Sequence, residues 1–429
     1  MKIRSVTMFI PLTWPFDEGT IAGASRFLAD ARTRFNENGI HVQSVRLATP
    51  PFLDVIGDPD ISVLLEFAHT LEEMAKKYYI DYVSIGPVVA TTPLALLMSI
   101  HALPRLISET ERIFSSVLLA DDTSGINLAA AYAFGQAVHK IGQTTPHGMG
   151  NLRLAALANV PPGVPYFPAA YHHGGRPSFA IATEAADLAL EAISSVRSLN
   201  EARRRLVTAI EQNGRQILEV VDDLVDDHQV RFEGIDFSLA PYPNQSHSIA
   251  GAIEKLGVDE FGGHGTLFTT AFLTNCIRQA ELPHVGFSGL MLPVLEDSVL
   301  AARAKDGTYT VKDLLLYSSV CGTGLDTVPI PGDTSPDTIA AIFLDMAALA
   351  VTLGKPLTAR LMPMPGLKAG DPVNLDFEYF SSGYVLPVQN SGAHGLIEKS
   401  SFLSLIPIKS PQDIQARLYP DQWISPVRR

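Results

Sequence analysis

Short, continuously apolar runs alternate with amphipathic helical patterns along most of this 429-residue chain, and this alternation constrains its fold more than any other feature. About ten such runs predict β-strands, among them "SVTMFI" near residue 5, "YVSIGPV" near 82 and "LTARLMP" near 357. They lack the polar alternation of a strand with one solvated face. This pattern is typical of parallel strands that are buried on both faces and joined by crossover helices. We therefore predict an α/β fold built on a large parallel sheet or barrel.

The predicted strands follow one another without a break in the pattern. They lie near residues 5, 42, 82, 115, 153, 178, 234, 286, 324 and 357. No internal repeat, low-complexity tract or linker interrupts the series, so we expect one compact domain that spans residues 1–429.

Charge and cysteine content exclude several classes of partner and site. The formal net charge of −13, without a polybasic run, argues against nucleic acid or an anionic membrane as a partner. The N-terminus lacks the apolar core of a signal peptide, and the most apolar stretch, 339–353, contains Asp345 and is too short to span a bilayer. Two cysteines are too few for a disulfide framework or a cysteine-based zinc site. We expect a cytoplasmic protein that binds a small-molecule ligand. The sequence leaves open whether the protein forms homo-oligomers.

The stretch "CGTGLDTVPIPGDTSPDT" (321–338) predicts a strand, a tight loop and the start of a helix that ends at Gly354. Two residues could cap this helix. Ser335 is followed by a proline at the first helical position, and Thr334 is followed three residues later by an aspartate. Either cap would be structural.

Polar residues at the ends of the predicted strands are the candidate site. Capping does not explain Asp326 and Asp333, and the carboxyl ends of parallel strands commonly face a ligand. A glycine-rich turn, "FGGHGT" (261–266), opens another helix whose free N–H groups could hold an anion beside His264. We expect the corners after the strands to bring four side chains around one cavity: Asn127, His172, His264 and Asp333.

Several familiar motifs are absent from the sequence. There is no phosphate-loop or dinucleotide fingerprint, no HExxH and no GxSxG, which disfavours a nucleotide cofactor, a zinc hydrolase and a Ser-His-Asp hydrolase. A divalent metal held by His172, His264 and a carboxylate such as Glu296 or Asp333 stays open. The aspartates at 222–227 that precede a histidine are interpreted as a solvated helix end, because their spacing spreads them over several faces.

Longer motifs add a resemblance to a known family. The segments that carry it are "LPRLISETERIFSSV" (103–117), "TSGIN" (123–127), "GIDFSLAPYP" (234–243), "GGHGT" (262–266), "FSGLMLPVLED" (287–297) and "VCGTGLDTVPIPGDTSPDTIAAI" (320–342). Together they resemble domain-of-unknown-function family 711, over residues 1 to about 375. The resemblance implies a ten-stranded α/β barrel of the pyruvate formate-lyase type, in which two five-stranded parallel halves run antiparallel to each other. The C-terminal tail from about residue 375 departs from the family pattern.

The resemblance also indicates which polar positions could form the site. The candidate catalytic residues are Asp333, His264, His172 and Glu296, and the candidate ligand-binding residues are Arg105, Ser124, Asn127, Asp236, Thr266, Asp326 and Thr334. Glu109 and Asp297 also stand at matching positions.

The expected function is an enzyme that acts on a small carboxylate or amino-acid-like anion by acid–base chemistry at the strand ends. In this hypothesis Asp333 or Glu296 is the base, His264 or His172 is the acid, and backbone amides near Thr266 hold the anion. A binding or regulatory protein without catalysis is the alternative. A remote alternative is glycyl-radical chemistry, because "SSGYV" (381–385) faintly resembles the glycyl-radical loop and a cysteine stands at 321.

Overall fold

The computed structural model describes residues 1–89, 92–405 and 407. Its strands largely follow the predicted apolar runs. They are β1 (Lys2–Phe9), β2 (Val45–Ala48), β3 (Tyr82–Val88), β4 (Ile113–Asp121), β5 (Gly125–Asn127), β6 (Leu154–Ala158), β7 (Ser178–Glu184), β8 (Arg231–Asp236), β9 (Gly324–Pro331), β10 (Leu357–Met364), β11 (Pro372–Val373), β12 (Gly383–Tyr384) and β13 (Phe402–Leu403).

Helices separate most of these strands, as the sequence pattern predicts. They are α1 (Glu18–Glu37), α2 (Phe52–Ile56), α3 (Ile61–Lys77), α4 (Pro93–Glu109), α5 (Leu128–Thr144), α6 (Ala186–Ala192), α7 (Leu199–His228), α8 (Ile249–Lys255), α9 (Thr266–Gln279), α10 (Ser298–Asp306), α11 (Val311–Ser318) and α12 (Pro336–Leu353). Short 3₁₀ helices cover Pro146–Arg153 and Gln245–His247.

One large sheet contains all the long strands, in the order β8-β7-β1-β2-β3-β4-β6-β10-β9. Along this path the pairing is parallel except where β7 meets β1 and β6 meets β10. The strands therefore form two groups that run in opposite directions: β1, β2, β3, β4 and β6 in one, and β7, β8, β9 and β10 in the other. This confirms an α/β fold with a large, mostly parallel sheet, whereas a closed ten-stranded barrel stays a prediction.

The apolar run near residue 286 does not form a regular strand, so that part of the strand prediction was wrong. Residues 284–293 lie between β8 and β9 but make only isolated parallel bridges, two on the β8 side and one to Asp326 of β9. The carboxylate of Asp236 accepts the backbone N–H groups of Phe287 and Ser288 at 3.0 and 2.9 Å. Those amides are therefore unavailable for a ladder with a neighbouring strand.

The proline-rich segment 159–177 packs against one face of the sheet and contacts strands of both groups. The Thr7 hydroxyl of β1 donates to the Pro165 carbonyl at 3.3 Å, and the Ser84 hydroxyl of β3 donates to the Ala170 carbonyl at 2.6 Å. Phe167 packs with residues of β1, β2, β4 and β7. The segment is thus held against the strands by hydrogen bonds and aromatic packing.

The helix α12 is part of the core. Its Phe343 stacks on Phe134 of α5 with ring centroids 5.1 Å apart. With 18 residues and a mean hydropathy of 1.6 it is long and apolar enough to cross a membrane, so the expectation that this stretch is too short was wrong. Half of that window is buried inside the protein.

The C-terminal tail contacts several elements that precede it in the chain. Asn390 accepts the backbone N–H of Ser335 at 2.9 Å, and the Tyr132 hydroxyl donates to the Ala393 carbonyl. Further along, β13 pairs antiparallel with β5. The tail is thus held by hydrogen bonds to α5, α12 and β5.

The two possible caps of α12 are resolved in favour of Ser335. Its hydroxyl accepts the Thr338 N–H at 3.2 Å, whereas the Thr334 hydroxyl donates to the Pro331 carbonyl at 2.7 Å. Gly354 ends the helix in the left-handed conformation, with φ of 58°, as the sequence predicts.

We predict that Ser335→Ala lowers the free energy of unfolding by about 1 kcal/mol, because one N–H of the first turn of α12 loses its acceptor. Urea denaturation followed by circular dichroism measures this. The control Ser108→Ala removes a serine hydroxyl that bonds only within α4 and should change the value by less than about 0.5 kcal/mol. An equal effect of both changes would contradict the capping role.

Candidate functional site

A cavity of about 690 Å³ lies at one end of the sheet. Arg4, Arg46 and Tyr82, near the N-terminal ends of β1, β2 and β3, line one side of it. Thr183 and Asp236, at the C-terminal ends of β7 and β8, line another. N-terminal and C-terminal strand ends meet here because the two groups of strands run in opposite directions.

Two carboxylates and two arginines form a buried chain of ion pairs across the cavity. Glu296 accepts from Arg4 and lies 3.4 Å from a terminal nitrogen of Arg360. Arg360 also binds one Asp326 oxygen through its Nε and Nη2, at 2.7 and 2.5 Å. The side chains of Glu296, Asp326 and Arg360 are each no more than 6% exposed. Buried charges of this kind are tolerated only when they are paired.

Irregularities in the strands aim these side chains. The pairing of β1 with β7 slips between Ile3 and Ser5, so Arg4 is the extra residue of a β-bulge. The pairing of β10 with β9 slips opposite Arg360, where Thr327 adopts a φ of 41°. A positive φ is unfavourable for a β-branched residue. Bulges and strained residues commonly redirect side chains at functional sites.

Arg46 differs from its neighbours because no carboxylate lies within ion-pair distance of it in the part of the chain that the structure describes. Its Nε donates to the Ser44 hydroxyl at 2.9 Å, and its guanidinium lies 5.1 Å from the ring centroid of Phe167. Burial, and then the nearby charge of Arg4, lower the pKa of Arg46 to about 10. The side chain still carries its charge at neutral pH and offers its terminal N–H groups to an anion.

Aromatic side chains supply much of the remaining wall. The rings of Tyr82 and Phe167 lie on either side of Phe114, with centroids 5.3 and 5.4 Å from it. Phe377 and Tyr379, from the divergent tail, also line the cavity. The site therefore combines a charged end with an apolar aromatic surface, a usual composition for a small-molecule pocket.

Three of the predicted site residues line this cavity: Asp236, Glu296 and Asp326. Asp236 is committed to structure, since it accepts from two backbone amides and from the Ser238 hydroxyl at 2.5 Å. Burial raises the pKa of Asp236 despite these hydrogen bonds. Glu296 and Asp326 remain the candidates for chemistry.

The structure does not place Asn127, Ser124 or His172 at the cavity. Asn127 caps α5 by accepting the Ala130 N–H at 2.9 Å, and the exposed Ser124 lies in the turn after β4. His172 is buried, donates its backbone N–H to Thr49 beyond the C-terminal end of β2, and has a pKa lowered by burial. These residues follow strands of the first group, so they lie at the opposite end of the sheet.

The predicted anion turn and the loop before α12 lie outside the cavity as well. His264 is exposed, and Thr266 accepts the Gly262 N–H at 3.1 Å within the same turn. Asp333 is exposed, and Thr334 is buried with its hydroxyl bonded to a backbone carbonyl. None of the four residues that were expected around one cavity lines it: Asn127, His172, His264 and Asp333.

Other polar family positions have structural contacts. Arg105 pairs with Glu109 one turn away on the exposed face of α4, at 2.6 Å. Asp297 caps α10 and accepts from the Ser248 hydroxyl and from two amides at the start of α8. Burial raises its pKa. The side chains of Arg105, Glu109 and Asp297 are therefore bound by partners within the protein, and their positions do not require a ligand.

Two further sequence hypotheses concern metal and radical chemistry. No group of three His, Cys, Asp or Glu side chains that could hold a metal occurs among the described residues, and the set proposed from His172 and His264 is not assembled. Cys321 is fully buried, and Gly383 pairs with Val373 in the short β11–β12 ladder. Neither of these two residues lines the cavity.

Sequence reasoning missed three arginines that line the cavity: Arg4, Arg46 and Arg360. A usable signal was present, because each is a single arginine inside an otherwise apolar or small-residue strand, as in "VRLA" and "LTARLMPM". A charge in a strand that is buried on both faces needs a partner or a ligand. Tyr166 was missed too, since nothing local places it against Arg360.

Comparison with known proteins identifies relatives along almost the whole chain. The family model described as "Uncharacterised ACR (DUF711)" matches residues 1–378. A UPF0210 protein of Pyrobaculum islandicum is 34% identical over 87% of this chain and 88% of its own length. Similar proteins of the same name occur in Leuconostoc mesenteroides, at 29% identity over 94% of each chain, and in Acetivibrio thermocellus, at 29% over 85% of this chain and 83% of its own.

We predict that Asp326→Asn lowers the free energy of unfolding by about 3 kcal/mol, because Arg360 loses its closest charged partner inside the protein. Glu296 still faces Arg360, which keeps the loss at the low end for a broken buried pair. Urea denaturation measures it. The matched control, Glu109→Gln, breaks the exposed pair with Arg105 and should cost less than about 1 kcal/mol. Similar losses for the two variants would contradict the buried pairing.

A second prediction concerns Glu184, which follows Thr183 and accepts from Gln43 at 3.2 Å. Burial raises its pKa above the usual value, more than Arg4 and Lys2 lower it. The folded protein thus binds this proton more tightly than the unfolded chain, so the contribution of Glu184 to stability falls as the pH rises from about 4.3 through the folded pKa. The difference in unfolding free energy, wild type minus Glu184→Gln, should therefore decrease over that range.

Glu201 provides a control of opposite sign. A hydrogen bond from the backbone of Arg197 is the first of several contacts that lower the pKa of this exposed carboxylate. The difference between wild type and Glu201→Gln should increase as the pH rises through the acid range. Denaturation series between pH 3 and pH 8 (about 0.5 apart) test both slopes, and a rising curve for Glu184 would refute the burial argument.

Proposed function

The chain belongs to the DUF711 family, and from its cavity we propose that it is an enzyme that acts on a small organic anion by acid–base chemistry. Arg46 binds the anion, and Glu296 transfers the proton. The single observation that supports this most is the half-buried Arg46 guanidinium, which lines the cavity without a carboxylate partner among the described residues.

The pairing of the charged side chains favours an anionic group at Arg46. Arg4 and Arg360 are paired with Glu296 and Asp326, whereas Arg46 has no carboxylate within ion-pair distance among the described residues. A carboxylate can accept two parallel N–H bonds from a guanidinium, which makes such contacts strong and directional. The ligand's anionic group would thus replace the missing partner of Arg46.

Glu296 is the residue best placed for proton transfer. It lines the cavity and is only 4% exposed. Arg4 and Arg360 orient its carboxylate from two sides. A carboxylate that is fixed in this way can remove a proton from a bound substrate and return it.

We also propose that the sheet closes into the ten-stranded barrel that the family resemblance implies, with residues 284–293 as the tenth strand position. The isolated bridges of that segment to the β8 and β9 sides support this closure. The position of loop 159–177 against strands of both groups supports it too. Enclosure would exclude water from the cavity and strengthen its electrostatic interactions. A cytoplasmic location is part of the same proposal.

A binding or regulatory protein without catalysis is the second candidate, and one observation favours it. The carboxylates of Glu296 and Asp326 already accept from arginines, which would suit them to shape a binding site rather than to exchange protons. In that case the cavity would bind the anion and turnover would be absent.

We predict that Arg46→Met weakens carboxylate binding by about ten- to a hundredfold, because a charge-assisted hydrogen bond contributes about 1.5–3 kcal/mol. The probe is hydrocinnamate, whose ring suits the aromatic wall, and calorimetry gives its Kd. Arg105→Met, which removes an exposed arginine from the surface pair, is the matched control and should leave the Kd unchanged. Failure of the wild type to bind any small carboxylate, or equal binding by Arg46→Met, would refute the proposed anion site.

A turnover experiment separates the enzyme from the binding protein. Carboxylates that bind are incubated in deuterated buffer, and nuclear magnetic resonance follows deuterium incorporation or conversion. An enzyme should lose at least about a hundredfold in rate in Glu296→Gln, at a temperature where circular dichroism shows the variant folded. Binding that depends on Arg46, without exchange or conversion of any carboxylate in the wild type, would favour the regulatory alternative.

A further inference from the structure

The loop that packs against the sheet contributes to the cavity wall a tyrosine whose hydroxyl group has no hydrogen-bond partner among the described residues. Tyr166 lies in segment 159–177 and lines the cavity. The residue is 9% exposed, and its hydroxyl oxygen is buried without a hydrogen-bond partner among the described residues. Most buried polar groups in folded proteins have a partner, so one that lacks a partner and faces a cavity points to a ligand.

Ser5 offers a second hydroxyl of the same kind. It also lines the cavity, it is fully buried, and its Oγ has no partner within the described part of the chain. Ser5 follows Arg4 at the bulge in β1. Two residues with unpartnered hydroxyl groups therefore belong to the wall of the cavity that Arg46 also lines.

The charges around Tyr166 balance. Arg360 lies over its ring at 5.5 Å from the centroid, and Asp326 and Glu296 bind that arginine. Arg4 compensates Glu296 in turn. A second anionic group of the ligand would be repelled here by the carboxylates of Glu296 and Asp326. An ammonium group would be repelled by the two arginines, so an uncharged polar group fits best.

The hydroxyl of Tyr166 is available as a donor. Burial raises its pKa well above the usual 10, more than Arg360 lowers it, and the nearby Asp326 carboxylate raises it further. The hydroxyl therefore stays protonated at neutral pH, and because Asp326 does not meet hydrogen-bond geometry with it, it can donate to an oxygen atom of a ligand. The adjacent residue of the loop, Phe167, lies beneath Arg46. The same short stretch thus contacts both the arginine that would hold a carboxylate and the place where the uncharged oxygen would lie.

We propose that the ligand is a hydroxy or oxo acid, whose carboxylate binds Arg46 and whose uncharged hydroxyl or carbonyl oxygen is bound by Tyr166 and Ser5. This inference rests on the proposed anion site and adds the substrate class. Tyr166 would be a specificity-determining residue, because a site built to bind an oxygen rejects the analogue that lacks it.

Matched ligands test this inference by calorimetry with the full chain. Hydrocinnamate, phenyllactate, phenylpyruvate and phenylalanine share one carbon skeleton and carry no substituent, a hydroxyl, a carbonyl oxygen and an ammonium group beside the carboxylate. We expect phenyllactate or phenylpyruvate to bind the wild type about tenfold more tightly than hydrocinnamate. Phenylalanine should bind more weakly than either.

The variant Tyr166→Phe removes only the hydroxyl. It should reduce that tenfold preference to about twofold or less and leave the Kd of hydrocinnamate unchanged, which a merely structural role would not do. Ser5→Ala should reduce the preference in the same direction. The control is Tyr171→Phe in the same loop, because the Tyr171 hydroxyl donates to the Val160 carbonyl at 2.9 Å and does not line the cavity. It should leave the preference intact.

The outcomes distinguish the two proposals. If hydrocinnamate binds in an Arg46-dependent way but the oxygenated acids bind no better, or if Tyr166→Phe keeps their advantage, the hydroxy-acid inference is overturned and the anion site stands. Tighter binding of phenylalanine would also overturn it, in favour of an amino acid. If none of the four binds the wild type, both proposals are overturned.

Discussion

The buried chain of ion pairs from Arg4 through Glu296 and Arg360 to Asp326 is the interaction on which the rest of the site depends. It joins β1, the corner before α10, β10 and β9, which are far apart in sequence. Each charge in this chain would be strongly unfavourable without its neighbour, because the interior cannot solvate it. The pairs therefore hold the two groups of strands in one arrangement around the cavity, and they leave Arg46 as the charge that a ligand can compensate.

The direction of the strands explains why this chain forms where it does. Antiparallel joints at β7–β1 and β6–β10 bring the start of one group of strands beside the end of the other. Arg4 and Arg46 enter the cavity from strand beginnings, whereas Asp236 and Thr183 enter it from strand ends. The loop 159–177 packs against the same face and supplies Tyr166. The cavity is thus built from opposite ends of two strand groups and from a loop between them.

Local sequence signals predicted much of the fold. Apolar runs predicted nearly every long strand because burial on both faces requires them, and capping and glycine signals set the bounds of α12. The run near residue 286 is the exception, because the Asp236 carboxylate takes the amides that a strand would use. Of the eleven proposed site residues, Asp236, Glu296 and Asp326 line the cavity. The others were chosen because the carboxyl ends of parallel strands lie at the same end of a sheet. In this sheet the two groups of strands run in opposite directions, so their carboxyl ends lie at opposite ends.

The sequence by itself determined the α/β class, the alternation of strands and helices, the family and the acidic surface, because these depend on composition and on short-range patterns. Only the tertiary structure decided which polar residues meet. The two antiparallel joints separate Asn127 and His172 from the cavity, and the bulges at Arg4 and opposite Arg360 turn charged side chains into it. The direction of a strand in the sheet and the position of a bulge depend on pairing with segments that are distant in the sequence. They therefore cannot be predicted from the residues of one segment alone.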